Sequence, residues 1–305
     1  MTGRGSTPGE RGGPGPEAGA SAEDQALGAR AGAPRTERLG IVSFTNVAPL
    51  HWRLAPWDED GHRAEFVRGV PSELNRALLA GEIDLTLISS IEFLRHRDRL
   101  VALPDFSIAT LGPVYSVTLF HRRPWRELDG ASIAVTTDSA TSVELLRVLL
   151  REDGIEAELV PVPSDLDAML AGHDAALLIG DAALVEGVAR REVDGAVPAL
   201  TDLGEAWYRR TRLPFTFAVW ASPEGRRPSD RLVAKLRAAR QNGLGHLADV
   251  SADAAARVGV SPQVMLRYLA NFRYHLGPPD RDGLATFGRM TLPDFREDEL
   301  RYWDG

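Results

Sequence analysis

There is no cysteine anywhere in the 305 residues. This excludes disulfides, thiolate zinc sites, cysteine nucleophiles and a lipid anchor on cysteine. Nor is there an H-E-x-x-H motif or a clustered histidine pair among the seven scattered histidines, so no metal is expected. A Walker A loop is missing, and the glycine-rich "GRGSTPG" near the front follows no strand, so it is no nucleotide fingerprint. Apolar runs are short: none approaches the ~20 residues of a membrane span, and the first 37 residues hold no apolar core of a secretory signal. Positive charge is the minority, 35 Lys and Arg against 43 Asp and Glu, which disfavours binding to a phosphate backbone. The expectation is a soluble, cytoplasmic protein with no cofactor and neither nucleic acid nor membrane as partner; oligomeric state is left open.

What is present is ordinary globular composition, 44% hydrophobic and 26% charged, in a length that permits one large domain or two lobes. Residues 1–37 are mostly Gly, Pro and Ala and read as a disordered tail, because they cannot bury enough surface to offset their ordering entropy.

Two segments beyond the tail read alike. "PSELNRALLAGEIDLTLISS" (71–90) gives a helix opening at Pro71 and Ser72, a Gly81 stop and a strand over 83–88; "SDLDAMLAGHDAALLIGDA" (164–182) gives Ser164 as N-cap, a Gly172 stop and a strand over 175–179. Both strands are continuous apolar runs, which predicts parallel strands covered on both faces. Each segment is preceded by a strand–loop–helix unit, "LGIVSFTNVAPLHW" and "ASIAVTTDSATSVELLRVLL", the latter with Thr141 and Glu144 spaced as a capping box. Repeated βαβ units imply an α/β protein of two related lobes, each a mostly parallel sheet flanked by helices. The strand-like "YSVTLFHRR" (115–123) and "RLPFTFAVWA" (212–221) are the expected crossovers. Lobe 1 is then discontinuous, 38–120 plus 215–305, and lobe 2 spans 121–214. The end of lobe 1 is mostly helical, with Ser229 and Ser261 as N-cap candidates.

Ligands of open parallel sheets bind beyond the carboxyl ends of the strands. That rule gathers Ser43, Thr45 and Asn46 after the first strand, Ser89 and Ser90 after the next, Thr136, Thr137, Asp138, Ser139, Thr141 and Ser142 after the third, and Gly180 and Asp181 after the fourth. All are small and polar, and each also has a plainer reading as a cap or turn residue. Their convergence at helix starts makes a cleft suited to carboxylate or phosphate oxygens.

At this point the blocks "GIVSFTNVAPLHW", "GVPSELNRALLAGEIDLTLISSIEFLR", "LPDFSIATLGPVYSVTLF", "TTDSATSVELLRVLL", "LLIGDAAL" and "RLPFTFAVW" together resemble the chorismate dehydratases of menaquinone biosynthesis by the futalosine route. The resemblance spans about 38–300. It implies a two-lobed fold of the periplasmic-binding-protein type II kind with the ligand cleft between the lobes. It also implies loss of water from chorismate, a dianion, to give 3-[(1-carboxyvinyl)oxy]benzoate. On it, Asn46 and Ser89 become the catalytic candidates, and Ser43, Thr45, Ser90, Ser116, Thr137, Ser139, Thr141, Ser142 and Asp181 the substrate-binding ones. The substrate's own enolpyruvyl carboxylate is the expected base, with Asp181 or His51 as alternatives. Two other readings share the fold: a dihydroxynaphthoate-synthase-like enzyme, whose first-strand loop typically carries a cysteine and an acid where this chain has "SFTNVAP", and a non-catalytic binding protein for small anions.

Overall fold

The computed structural model describes residues 35–191 and 199–304. The tail expected to be disordered lies outside the described residues as far as residue 34. Its expected boundary at 37 falls inside β1 (Arg35–Val42). There Glu37 is 3% exposed and accepts hydrogen bonds from the backbone N–H and hydroxyl of Ser229.

Twelve strands form two sheets among the described residues. The first holds β1, β2 (Trp57–Glu59), β3 (His62–Gly69), β4 (Leu85–Ser89), β5 (Leu100–Thr110), β11 (Phe215–Pro223) and β12 (Phe272–Arg273), in the order β12-β5-β11-β4-β1-β3-β2. The second holds β6 (Val117–His121), β7 (Ser132–Thr136), β8 (Glu158–Val162), β9 (Ala175–Ile179) and β10 (Ala199–Asp202), in the order β10-β6-β9-β7-β8. Each contains a parallel trio of the same kind, β3-β1-β4 in the first and β8-β7-β9 in the second. β4 and β9 are buried along their whole length, the fate of an apolar run with both faces covered.

The sheets are nevertheless mixed, not mostly parallel. β11 runs antiparallel beside β4, and β6 antiparallel beside β9, with further antiparallel strands β2, β5, β10 and β12. Connectivity accounts for part of this: β6 and β11 enter from the other lobe and β2–β3 is a short hairpin, so none of them makes the long crossover that a parallel neighbour requires. β6 belongs to the second sheet, so the boundary expected at 120 falls inside a strand and the chain changes lobe within 111–116. It returns just before Phe215, after the helix Leu203–Thr211. Asp202 ties the two connections together, its carboxylate accepting from the N–H groups of Val114 and Tyr115 on one side and of Gly204 and Glu205 on the other.

Among the described residues ten α-helices surround the sheets: α1 (Pro71–Leu79), α2 (Ser90–Arg95), α3 (Ala140–Glu152), α4 (Leu166–Gly172), α5 (Gly180–Arg191), α6 (Leu203–Thr211), α7 (Asp230–Gly245), α8 (Leu247–Val258), α9 (Pro262–Ala270) and α10 (Pro278–Thr291). Ser229 and Ser261 cap α7 and α9 through their hydroxyls. Elsewhere the expected caps move by a residue or two. α1 does open at Pro71 as expected, but its N-cap is the apolar Val70, with Glu73 reaching back to the Val70 N–H. Asp165, not Ser164, caps α4, and Ser139 caps α3, so Thr141 and Glu144 form no capping box there. Where several polar residues stand in a row, tertiary partners decide which of them caps. α7 crosses the 3-10 turn Thr45–Leu50 so closely that a Cβ on Gly243 would lie 2.1 Å from the Pro49 carbonyl oxygen, so the position requires glycine.

Candidate functional site

The carboxyl ends of β1, β4, β7 and β9 meet between the lobes, and each is followed by a helical start: the 3-10 turn 45–50, α2, α3 and α5. They line a small, partly open cavity of about 70 Å³. Of the residues singled out from the sequence, Asn46, Ser89, Ser116, Ser139, Thr141 and Ser142 line it, as does Gly180. Ser43, Thr45, Ser90, Thr137 and Asp181 are not among its lining residues.

Each of these outliers has a different task or place. Ser43 is exposed, and its N–H donates to the Gly69 carbonyl. Ser90 is fully buried and donates its hydroxyl to the Thr216 carbonyl at 2.6 Å. Thr137 lines the adjoining mouth with Arg76, Glu92, Asp138 and Glu144. Thr45 and Asp181 bond to each other across the lobes: Asp181 Oδ1 accepts from the Thr45 N–H at 3.2 Å and from its hydroxyl. The carboxylate is thereby turned to the backbone of the first loop instead of the cavity.

Thr141 also spans the lobes, since its Oγ1 accepts from the N–H of Ile91 in α2 at 3.0 Å. Next to it, Arg95 pairs with Glu144 at 3.0 Å. Ser139 Oγ accepts from the Ser142 N–H at 3.1 Å, fixing the start of α3. Ser89 stands at the N-cap of α2, held by Asn75: the Asn75 Nδ2 donates to Ser89 Oγ at 3.1 Å, and the Ser89 N–H donates to Asn75 Oδ1 at 3.2 Å. At Asn46, the amide oxygen is buried and has no hydrogen-bond partner among the described residues.

No lysine, arginine, aspartate or glutamate is among the cavity's lining residues. Its polar groups are instead neutral: hydroxyls, the Asn46 amide and the starts of the converging helices, whose first-turn N–H groups have no partner within the helix. The remaining wall is apolar, with Phe44, Val114, Ile179, Phe217 and Phe272 among its side chains. Phe44 lies against Gly180, where φ is +63° and a Cβ would come within 3.0 Å of the ring, so any side chain there would push the aromatic wall inward. His51 ends the 3-10 turn outside the lining; burial, and then the charge of Arg68, lower its pKa to about 4.

The sequence reading missed Asn75 and the aromatic wall. Phe44 sits between two residues that were picked out, but aromaticity carried no signal for an anion site. Phe217 and Phe272 reach the cleft from strands far along the chain. Among the described residues no helix is long and apolar enough to cross a membrane.

Known structures share this architecture. A crystal structure from Archaeoglobus fulgidus aligns with a TM-score of 0.64 at 19% identity, covering 84% of this chain and 96% of that one. The periplasmic aliphatic sulphonate binding protein of Escherichia coli aligns at 0.61 and 16% identity, covering 89% and 93%. At these identities the likeness is one of fold, the two-lobed periplasmic-binding-protein kind. Sequence relatives are nearer. The chorismate dehydratase of Thermus thermophilus is 45% identical over 266 residues, 84% of this chain and 95% of that protein. That of Campylobacter jejuni is 30% identical over 59% of this chain and 65% of its own length. The model of the menaquinone biosynthesis family matches residues 37–292. With that match running through both sheets and every strand end that builds the cleft, the chain belongs to the menaquinone biosynthesis family.

Proposed function

We propose that this chain is a chorismate dehydratase, removing water from chorismate to give 3-[(1-carboxyvinyl)oxy]benzoate. Its family and the 45% identical relative of that name support the reading. The observation that carries it is Asn46, whose buried amide oxygen has no donor among the described residues while its side chain lines an uncharged cavity of neutral donors and helix starts. A carbonyl oxygen in that state needs an N–H or O–H from the ligand. Chorismate brings one, the C4 hydroxyl, together with two carboxylates for the helix starts.

In this reading the Ser139–Ser142 start of α3 holds one carboxylate, and Ser89 with the start of α2 holds the other. The Asn46 amide oxygen accepts from the C4 hydroxyl while its N–H donates to the enolpyruvyl carboxylate. That carboxylate, adjacent to C3, takes the C3 proton. The electron pair moves into the system conjugated with the ring carboxylate and then expels the C4 oxygen as hydroxide, which recovers a proton to leave as water. The ring becomes aromatic, which pulls the step forward. Preorganised donors at the ring carboxylate stabilise the charge that develops there; removal of one such donor costs about 2.7–4 kcal/mol in comparable oxyanion sites. The protein contributes orientation and electrostatics, with the substrate supplying the base. The futalosine route belongs to the same reading and rests on the resemblance of the sequence blocks quoted above.

Incubation of the purified protein with chorismate tests it by following the absorbance of the aromatic product. Asn46→Ala is expected to lose about a hundredfold or more in kcat with its melting temperature unchanged. Full turnover by Asn46→Ala removes this role; chorismate bound but unchanged by the wild-type protein returns the site to simple solute binding. A pH–rate profile governed by an enzyme group near neutral pH makes a protein side chain the base instead of the substrate.

A further inference from the structure

We propose that Asn75 is a positioning residue that sets the direction of the Ser89 hydroxyl proton, making Ser89 an obligate donor to the carboxylate of the bound substrate. The inference deepens the proposed function and rests on its placement of Ser89 against substrate.

It follows from the two bonds between these side chains. The backbone N–H of Ser89 can only donate, so the atom of Asn75 facing it at 3.2 Å is the amide oxygen. This settles the orientation of the amide, and its NH2 faces Ser89 Oγ at 3.1 Å. An NH2 can only donate, so Ser89 Oγ accepts. The Ser89 proton therefore cannot point at Asn75. Ser89 lines the cavity at the N-cap of α2 and is 6% exposed; Asn75 is 7% exposed and sits in α1. A hydroxyl that accepts from one side and faces an anion site on the other is poised as a donor. An ordinary serine, free to spin, spends part of its time with its lone pairs toward the anion and loses part of that benefit.

Substitutions distinguish this from simple packing. Asn75→Asp keeps the shape and the bond to the Ser89 N–H, but its second oxygen accepts where the NH2 donated, so it draws the Ser89 proton out of the cleft. Asn75→Ala removes the constraint and leaves the hydroxyl free. The expected order is that Ser89→Ala and Asn75→Asp lose about a hundredfold each in kcat, and Asn75→Ala about tenfold. A packing role predicts the opposite order, with the near-isosteric Asp milder than the cavity-forming Ala. The carboxylate of Asn75→Asp also repels a dianion, which raises KM, so kcat is the readout. Adding Asn75→Asp to Ser89→Ala controls for any remaining effect of charge: little further loss supports the proposal.

A loss from Asn75→Asp that is equally large with and without Ser89, or Asn75→Ala slower than Asn75→Asp, overturns the role of Asn75 and leaves that of Ser89 intact. Full turnover by Ser89→Ala overturns both. Melting temperatures of all five variants, the two double ones included, are measured in parallel. If Asn75→Asp does not fold, Asn75→Ala decides alone: loss of kcat in the wild-type background that disappears in Ser89→Ala supports the proposal, and an undiminished loss overturns it.

Discussion

The first loops of the two lobes occupy the same position in the repeated topology and are completed in opposite ways. In lobe 2 the loop after β7 is self-sufficient, because Ser139 caps α3 with its own hydroxyl. In lobe 1 the turn after β1 follows Phe44, which has no capping side chain, and the acceptor for its first N–H is Asp181, 136 residues away in the other lobe. Lobe 2 thus presents a finished platform. The loop of lobe 1 that carries Asn46 is completed only when the lobes are together, which couples closure to the placement of the residue next to Thr45. Two related units solve the same problem differently: one loop is held by its own side chain, the other by a side chain of the opposite lobe.

Substitutions at the two loops test this contrast. Asp181→Ala has the largest expected effect, since it removes two hydrogen bonds to a carboxylate that join the lobes, about 3 kcal/mol together. That corresponds to roughly a hundredfold in kcat/KM, measured with chorismate, with a small change in thermal stability. If turnover is unchanged while the melting temperature falls, Asp181 is an ordinary structural group and the contrast is broken. Ser139→Ala comes next, with about 1 kcal/mol lost from unfolding stability as for other N-caps, whether or not ligand is present. Denaturant unfolding with and without ligand sharpens the difference, because the loss at Ser139 is the same in both and that at Asp181 grows with ligand.

The smallest effect at neutral pH belongs to His51, at the end of the lobe 1 turn. Its pKa is lowered from 6.5 to about 4 in the folded state, so between those values the unfolded chain binds more protons than the folded one. Its contribution to stability is therefore complete above pH 6.5 and is lost as the pH falls toward 4. Unfolding free energy followed from pH 7 to pH 4 is expected to decline, and His51→Gln to remove that component of the decline while leaving stability at pH 7 nearly unchanged.

Periodicity and glycine placement made much of the architecture legible. The apolar runs became β4 and β9, Gly81 follows α1 in the left-handed conformation at φ +74°, and Ser229 and Ser261 cap as expected. The strand-end rule brought Asn46, Ser89, Ser116, Ser139, Thr141 and Ser142 to one cavity. Local signals were ambiguous where polar residues are adjacent. Ser89 and Ser90 are equivalent in composition, yet one faces the cleft and the other is bound to the carbonyl of Thr216 in β11. Thr141 looked like a cap, but its oxygen serves the N–H of Ile91 in the other lobe. Asp181 was recognisable as polar and near the cleft, while its true partner is fixed only by how the lobes meet. The aromatic wall was invisible for the same reason, since Phe217 and Phe272 arrive from β11 and β12.

The strand order has a consequence for how the protein is made. All five strands of the second sheet lie between residues 117 and 202, so that sheet is complete once this continuous stretch has been synthesised. The first sheet is not, because β11, residues 215–223, inserts between β5 and β4, whose partner-facing edges have been waiting since residue 110. At ~5–20 residues per second, a nascent chain carries those two buried-strand edges unpaired for several seconds. Exposed apolar edges are templates for pairing with other chains. The half of the protein made first is thus the half finished last, and its central seam is where a slowed ribosome or a truncated product would invite aggregation.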